Sequence, residues 1–258
     1  MKLSRKALFE EMGMSPTWVL REQPAFDTVP ASQVVVEAAV ATPVERAAAA
    51  PVEIGRVADD ASAPVESLGW DALRQRIAEC RACGLCDARK QTVPGVGDER
   101  ADWLFIGEGP GAEEDARGEP FVGQAGKLLD AMLAAIDLER GQNVYIANAV
   151  KCRPPNNRTP EPDEMTACWP YLQRQIALIR PKLIVLLGRA AVFSVLREDK
   201  SLASLRGKTL SYKDESGEIP VVVSYHPAYL LRNLPDKAKA WEDLCRARAM
   251  MRRVSGAT

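Results

Sequence analysis

From residue 67 onward, short uninterrupted apolar runs alternate with longer stretches of helical period. Trp103-Leu104-Phe105-Ile106, Val144-Tyr145-Ile146-Ala147, Leu183-Ile184-Val185-Leu186-Leu187 and Val221-Val222-Val223 are too short for buried helices and lack the alternation of half-exposed strands. They predict four strands covered on both faces. Helical period marks Leu68 to Ala78, Gly126 to Leu138, Pro162 to Ile179 and Ala190 to Leu196, with a last helix from about Asp236. Strands that alternate with helices in this way predict an α/β fold in three layers, α/β/α, around a four-stranded parallel sheet.

Ahead of this region the pattern disappears. Residues 23–66 hold 12 Ala, 9 Val and 5 Pro but no Leu, Met, Trp or Tyr. Proline interrupts any helix there, and Ala and Val bury too little surface to offset an ordering entropy of about 1–2 kcal/mol per residue. The composition predicts a disordered linker. Residues 1–22 carry a short amphipathic pattern (Leu8, Phe9, Met12) ending in Trp18-Val19-Leu20-Arg21, which reads either as a docking helix for a protein partner or as a frayed terminus. The folded domain is therefore expected over residues 67–258.

Composition narrows the chemistry. With 258 residues, 47% of them hydrophobic, and a net charge of −1, the chain has material for an ordinary core. The folded part carries a mild positive excess, compatible with nucleic acid but too weak to argue for it alone. No apolar run reaches the roughly 18–20 residues of a membrane span, and MKLSRKALFEEMGM places acids where a secretory signal is apolar. The expectation is a soluble cytosolic monomer with no membrane partner. In a reducing compartment, six cysteines suggest metal ligands, redox groups or small buried residues rather than disulfides, and the single histidine, His226, excludes polyhistidine zinc chemistry.

The strands lead into the least ordinary residues of the chain: Gly107-Glu108-Gly109-Pro110-Gly111, Asn148, Gly188-Arg189, and Ser224-Tyr225-His226-Pro227. Open α/β sheets bind ligands beyond the carboxyl ends of their strands, so one pocket can collect Glu108, Asn148 and His226. Gly107-x-Gly109-x-x-Ala112 satisfies a dinucleotide fingerprint in form, yet Glu108, Glu113, Glu114 and Asp115 crowd the turn where a pyrophosphate requires free backbone donors. Carboxylates there suit orienting water or stabilising positive charge on a sugar. Cys80 and Cys83 have the two-residue spacing of a metal chelate, Cys86 adds a further thiol, and Cys152 and Cys168 follow beyond the second strand. Four of these suffice for a four-thiolate site, which zinc and an iron-sulfur cluster both accept.

Taken in order, CRACGLC, GVGD, GEGPGAEEDARGEPFVGQAGKLLD, YIANAVKCRPPNNRTPEPDEMTAC and SYHPAYLLR resemble the iron-sulfur class (family 4) of uracil-DNA glycosylases, over about residues 70–245. The resemblance implies a [4Fe-4S] cluster on Cys80, Cys83, Cys152 and Cys168, with Cys86 outside it. It also implies that uracil is flipped out of DNA and hydrolysed from its sugar, leaving an abasic site. Phe121 resembles the stacking platform, Asn148 the base reader, His226 the donor to uracil O2, and Gly107 lies in the substrate-binding turn. Glu108 matches the catalytic acidic position, and Glu114 is a second catalytic candidate. Asp115 reads as a helix cap. Leu230, Leu231 and Arg232 resemble a minor-groove loop, with Lys151, Arg153, Arg158 and Arg189 as further backbone contacts. The partner implied is uracil-containing DNA, single- or double-stranded. Three rivals are a catalytically silent four-cysteine nucleic-acid module, a glycosylase of broader base specificity, against which the acid at position 108 argues, and an electron-transfer protein, against which the structural cluster implied by the resemblance argues.

Overall fold

The computed structural model describes residues 63–214 and 217–256. The expectations for residues 1–22, and for all of the linker but its last residues, lie outside them. In chain order the described elements are α1 (Trp70–Glu79), β1 (Val96–Gly97), β2 (Trp103–Gly107), α2 (Ala112–Arg117), α3 (Gln124–Ala134), β3 (Val144–Asn148), α4 (Pro162–Ile179), β4 (Leu183–Leu187), α5 (Arg189–Leu196), α6 (Leu202–Leu205), β5 (Leu210–Asp214), β6 (Gly217–Ser224), α7 (Pro227–Arg232) and α8 (Asp236–Val254). The sheet runs β1-β3-β2-β4-β6-β5.

Its centre, β3-β2-β4-β6, is the expected four-stranded parallel sheet. Alternate side chains enter two different cores, which is why these strands read as continuous apolar runs. Leu104, Ile106, Tyr145, Ala147, Ile184 and Leu186 face α4, α5 and α6 through Leu172, Ile176, Val192 and Leu205. Trp103, Phe105, Val144, Ile146, Val185 and Leu187 face α3, α7 and α8 through Leu129, Leu133, Leu230 and Leu244. The sheet thus lies between two helical layers.

Two antiparallel edge strands add to the expected four. β1 pairs with β3 over only two residues, and a side chain on Gly97 would meet the Val144 carbonyl at 2.2 Å. β5 pairs with β6 as Leu-Ser-Tyr-Lys-Asp, buried only at Tyr212. Neither presents a buried apolar run. The segment from Pro227, read from sequence as a loop, is the helix α7: Pro227 occupies its first turn without losing a needed donor, and His226 caps it. A third apolar cluster joins α1 and α4 around the cysteines, through Leu73, Ile77, Leu85, Val150, Met165 and Tyr171.

Candidate functional site

Register brings the site residues together. Gly107 pairs with Asn148 at the ends of β2 and β3, and Leu187 pairs with Ser224 at the ends of β4 and β6, two residues before His226. A Cβ on Gly107 would stand 2.5 Å from Phe121 Cζ and 2.6 Å from Asn148 Oδ1, so only glycine lets ring and amide approach the strand end this closely. The Phe121 and His226 rings stack with centroids 5.4 Å apart and planes at 29°. Gly107, Phe121, Asn148 and His226 therefore line one site.

Its polar atoms are prepared for a ligand. Asn148 is 2% exposed, and its Oδ1 has no partner. His226 Nδ1 accepts the Ala228 N–H at 3.1 Å, which in a neutral ring places the proton on Nε2, and that buried nitrogen is also unpartnered. Buried polar atoms are nearly always hydrogen-bonded. Among the described residues the unpartnered buried side-chain atoms are these two and the hydroxyls of Ser194 and Ser224. Asn148 Oδ1 offers an open acceptor and His226 Nε2 an open donor, and Phe121 stands near both through Gly107 and the ring stack. Burial lowers His226 to about 4, with the Arg232 charge acting in the same direction and Glu114 opposing, so the imidazole is neutral at physiological pH. Burial also raises Glu108 above the usual carboxylate range, against a Thr159 hydrogen bond and the Arg232 charge. The Arg232 charge thus acts on both Glu108 and His226.

The supports of this pocket escape a sequence reading. Phe121 sits in the left-handed region at φ 56°, unusual for an aromatic residue. Glu114 fixes the following turn: its Oε1 accepts the N–H groups of Val122 and Gly123 at 3.0 Å each, and its Oε2 accepts that of Gly111 at 3.1 Å. Three backbone donors thus engage the Glu114 carboxylate and tie it to the turn that carries Phe121. From the other side Arg140 donates to the carbonyls of Pro120 and Phe121, both at 2.9 Å, and is itself held by Asp130 at 2.8 Å. Gly126 packs on the Phe121 carbonyl where a Cβ would stand 1.7 Å away.

Other expectations shift. Asp115 lies inside α2, 1% exposed, and accepts the Lys90 N–H at 2.9 Å, so it anchors a loop and caps nothing. Leu230 is a core residue at 1% exposure, whereas Leu231 is 41% exposed; with exposed Arg232, Leu231 faces solvent. Lys151 is 1% exposed and cannot reach DNA phosphate. Arg158 pairs with Glu164, Arg189 with Asp199, and Arg153 bonds Asn157. A side chain at Gly109 would meet Val150 Cγ2 at 2.8 Å.

Cys80, Cys83, Cys86, Cys152 and Cys168 line one pocket with Ile77, Leu85, Val150, Ala167 and Tyr171. None forms a disulfide. Burial raises the Cys83 and Cys152 thiols and pushes Cys168 up to about 12, opposed at Cys152 by Arg89 and at Cys168 by Lys151. Arg89 Nη1 donates to Cys152 Sγ at 3.0 Å, and the Lys151 N–H to Cys168 Sγ at 3.3 Å. The Cys86 thiol donates to its neighbour Asp87 at 3.4 Å. Among the described residues, no three His, Cys, Asp or Glu side chains form a group that could hold a single metal ion. Unpaired thiols in an apolar pocket, with cationic and amide N–H groups on their sulfurs, fit a four-thiolate centre.

Comparison with known proteins follows the same lines. The model of the uracil DNA glycosylase superfamily matches residues 94–245. A type-4 uracil-DNA glycosylase of Sulfurisphaera tokodaii is 48% identical over 178 residues, covering 67% of this chain and 80% of the relative. One from Archaeoglobus fulgidus is 46% identical over 171 residues, 65% of this chain and 84% of the relative. Another from Thermotoga maritima is 41% identical over 186 residues, 71% of this chain and 95% of the relative.

Proposed function

The chain belongs to the uracil DNA glycosylase superfamily, with type-4 uracil-DNA glycosylases as its relatives, and from that premise we infer that Gly107, Phe121, Asn148 and His226 hold a flipped uracil while Glu108 acts on water. The protein is a DNA repair glycosylase that hydrolyses the N-glycosyl bond of deoxyuridine in DNA, releasing uracil and leaving an abasic site. The observation that carries the site assignment is the pair of open atoms, Asn148 Oδ1 and His226 Nε2.

Uracil offers an N3–H donor between two carbonyl acceptors. Asn148 Oδ1 accepts N3–H, its amide NH2 donates to O4, and His226 Nε2–H donates to O2. Cytosine has an acceptor at N3 and a donor at C4, so it leaves both ends of the Asn148 amide unpaired. Phe121 stacks on the extruded ring, whose release from the duplex costs a few kcal/mol. As the glycosidic bond lengthens, the bonding pair passes to the base, and the His226 donor stabilises charge growing on O2. Glu108, as carboxylate, favours the positive charge on the sugar and orients the water that adds to C1′, taking the proton the water loses and passing it to solvent; uracil leaves as the anion and is protonated by solvent. A silent four-cysteine module has no use for two open polar atoms beside a strained aromatic platform.

Cys80, Cys83, Cys152 and Cys168 are the thiols that would hold a [4Fe-4S] cluster, and Cys86 shares their pocket. When bound, the cluster ties the end of α1 and the segment after β3 to α4. Among the described residues no helix is long and apolar enough to cross a membrane. Exposed Leu231 and Arg232 are proposed to meet the DNA backbone and groove beside the site.

Protein purified with its cofactor is expected to absorb visible light, as thiolate-ligated iron does and zinc does not. It is also expected to release free uracil from a uracil-containing oligonucleotide without cutting the strand. An absorbing preparation that releases nothing contradicts the site assignment. Arg140→Ala removes two charge-assisted hydrogen bonds, one to the Pro120 carbonyl and one to that of Phe121, each worth about 1.5–3 kcal/mol. It should lower kcat/KM for uracil release at least tenfold with the absorption intact, as single-turnover kinetics will show.

A further inference from the structure

Lys151 is the anomaly left over by the site. It was expected at the DNA surface, yet it is fully buried, a rare place for a lysine. Its Nζ donates to the backbone carbonyl of Asn148 at 3.0 Å and to Gln175 Oε1 at 2.6 Å. Gln175, itself 0% exposed, is held in turn by the Pro94 carbonyl at 2.8 Å. The Lys151 backbone is fixed as well: its N–H meets Cys168 Sγ, and its carbonyl accepts the Val93 N–H at 2.8 Å. A residue serving only to fill space would be apolar, because an ammonium out of water is costly unless its hydrogen bonds are needed. Here they close a loop: the side chain folds back three residues and clasps the carbonyl of Asn148, the last residue of β3.

We propose that Lys151, oriented by Gln175, is a positioning residue that fixes the end of β3 and thereby the aim of the Asn148 amide, linking base selection to the cysteine centre next door. This rests on Asn148 reading the base. The Lys151 backbone belongs to the thiol pocket and its ammonium to the reading strand, so a displacement at Cys168 is carried through one residue to Asn148. Misplacement of a recognising group by about 1 Å costs as much as 10²-fold in rate.

Lys151→Met, Gln175→Leu, Gln175→Glu and Asn148→Ala, each purified with its cofactor, are compared with the parent by single-turnover release from a single-stranded uracil oligonucleotide and by inhibition with free uracil. Lys151→Met should keep its absorption and its KM for DNA within about twofold. Its kcat should fall roughly tenfold to a hundredfold, and inhibition by free uracil should weaken in parallel. A Lys151→Met protein that is fully loaded and has kcat within twofold of the parent overturns the proposal. Should that variant fail to fold or load, the Gln175 pair decides. Loss in Gln175→Leu with at least partial recovery in Gln175→Glu, which keeps an acceptor for the ammonium while giving up the donor to the Pro94 carbonyl, supports the link; a Gln175→Leu rate within twofold of the parent overturns it. Parent-like release by Asn148→Ala removes the base-reading assignment instead, and so separates the two failures.

Discussion

Glu108→Gln should lower kcat for uracil release by about 10²–10⁴-fold, the range supplied by a positioned acid or base, with KM for DNA little changed. The replacement keeps the shape of the side chain and a hydrogen bond to Thr159 but removes the charge. Burial raises the Glu108 carboxyl above its ordinary range, and the ionised form is the one that orients water. Wild-type kcat should therefore fall as pH drops through that raised value, at a higher pH than an exposed glutamate would give. His226 does not supply this acid limb, because it gains its proton only near 4 and Nε2 donates in either form. A kcat–pH profile from about pH 4 to 9 that retains the same limb in Glu108→Gln assigns the limb, and the water, to another group.

His226→Ala should cost about 10²–10³-fold in kcat, as loss of one donor to a developing oxyanion does. The imidazole also caps α7, so truncation removes about 1 kcal/mol of helix stability as well. His226→Asn separates the two effects. Asparagine is a good cap and should restore the melting temperature, yet it is too short to put a donor where Nε2 stands, so the rate should stay low. A His226→Asn enzyme that regains both stability and rate shows that the ring acts only through the helix.

The parallel core was readable in the chain because strands buried on both faces announce themselves as unbroken apolar runs. The edges were not: β1 has two residues, and β5 carries a serine, a lysine and an aspartate among its five. The proposed site could be read for a related reason, since Glu108, Asn148 and His226 each lie at or within two residues of the carboxyl end of a strand, and strand ends converge in such sheets. What stayed hidden were the groups that act on backbone atoms. Glu114 reaches Val122 and Gly123, Arg140 the Pro120 and Phe121 carbonyls, and Lys151 the Asn148 carbonyl. A main-chain partner has no identity in the sequence, so such a residue looks like any other charge on a helix or loop. Leu230 and Leu231 are adjacent and chemically identical, and only the rotation of α7 sends one into the core and the other outward.

The aromatic wall at Phe121 is pinned at its carbonyl by Arg140 and, one and two residues on, at the amides of Val122 and Gly123 by Glu114. Its remaining freedom is rotation about its own side-chain bonds. When a nucleotide swings out of the helix, nearly all the loss of motion therefore falls on the DNA, and the catalyst meets it already set. Damage sites that are loosely stacked beforehand have less order to lose from their own partners and should be captured first, without any contact that distinguishes the opposing base.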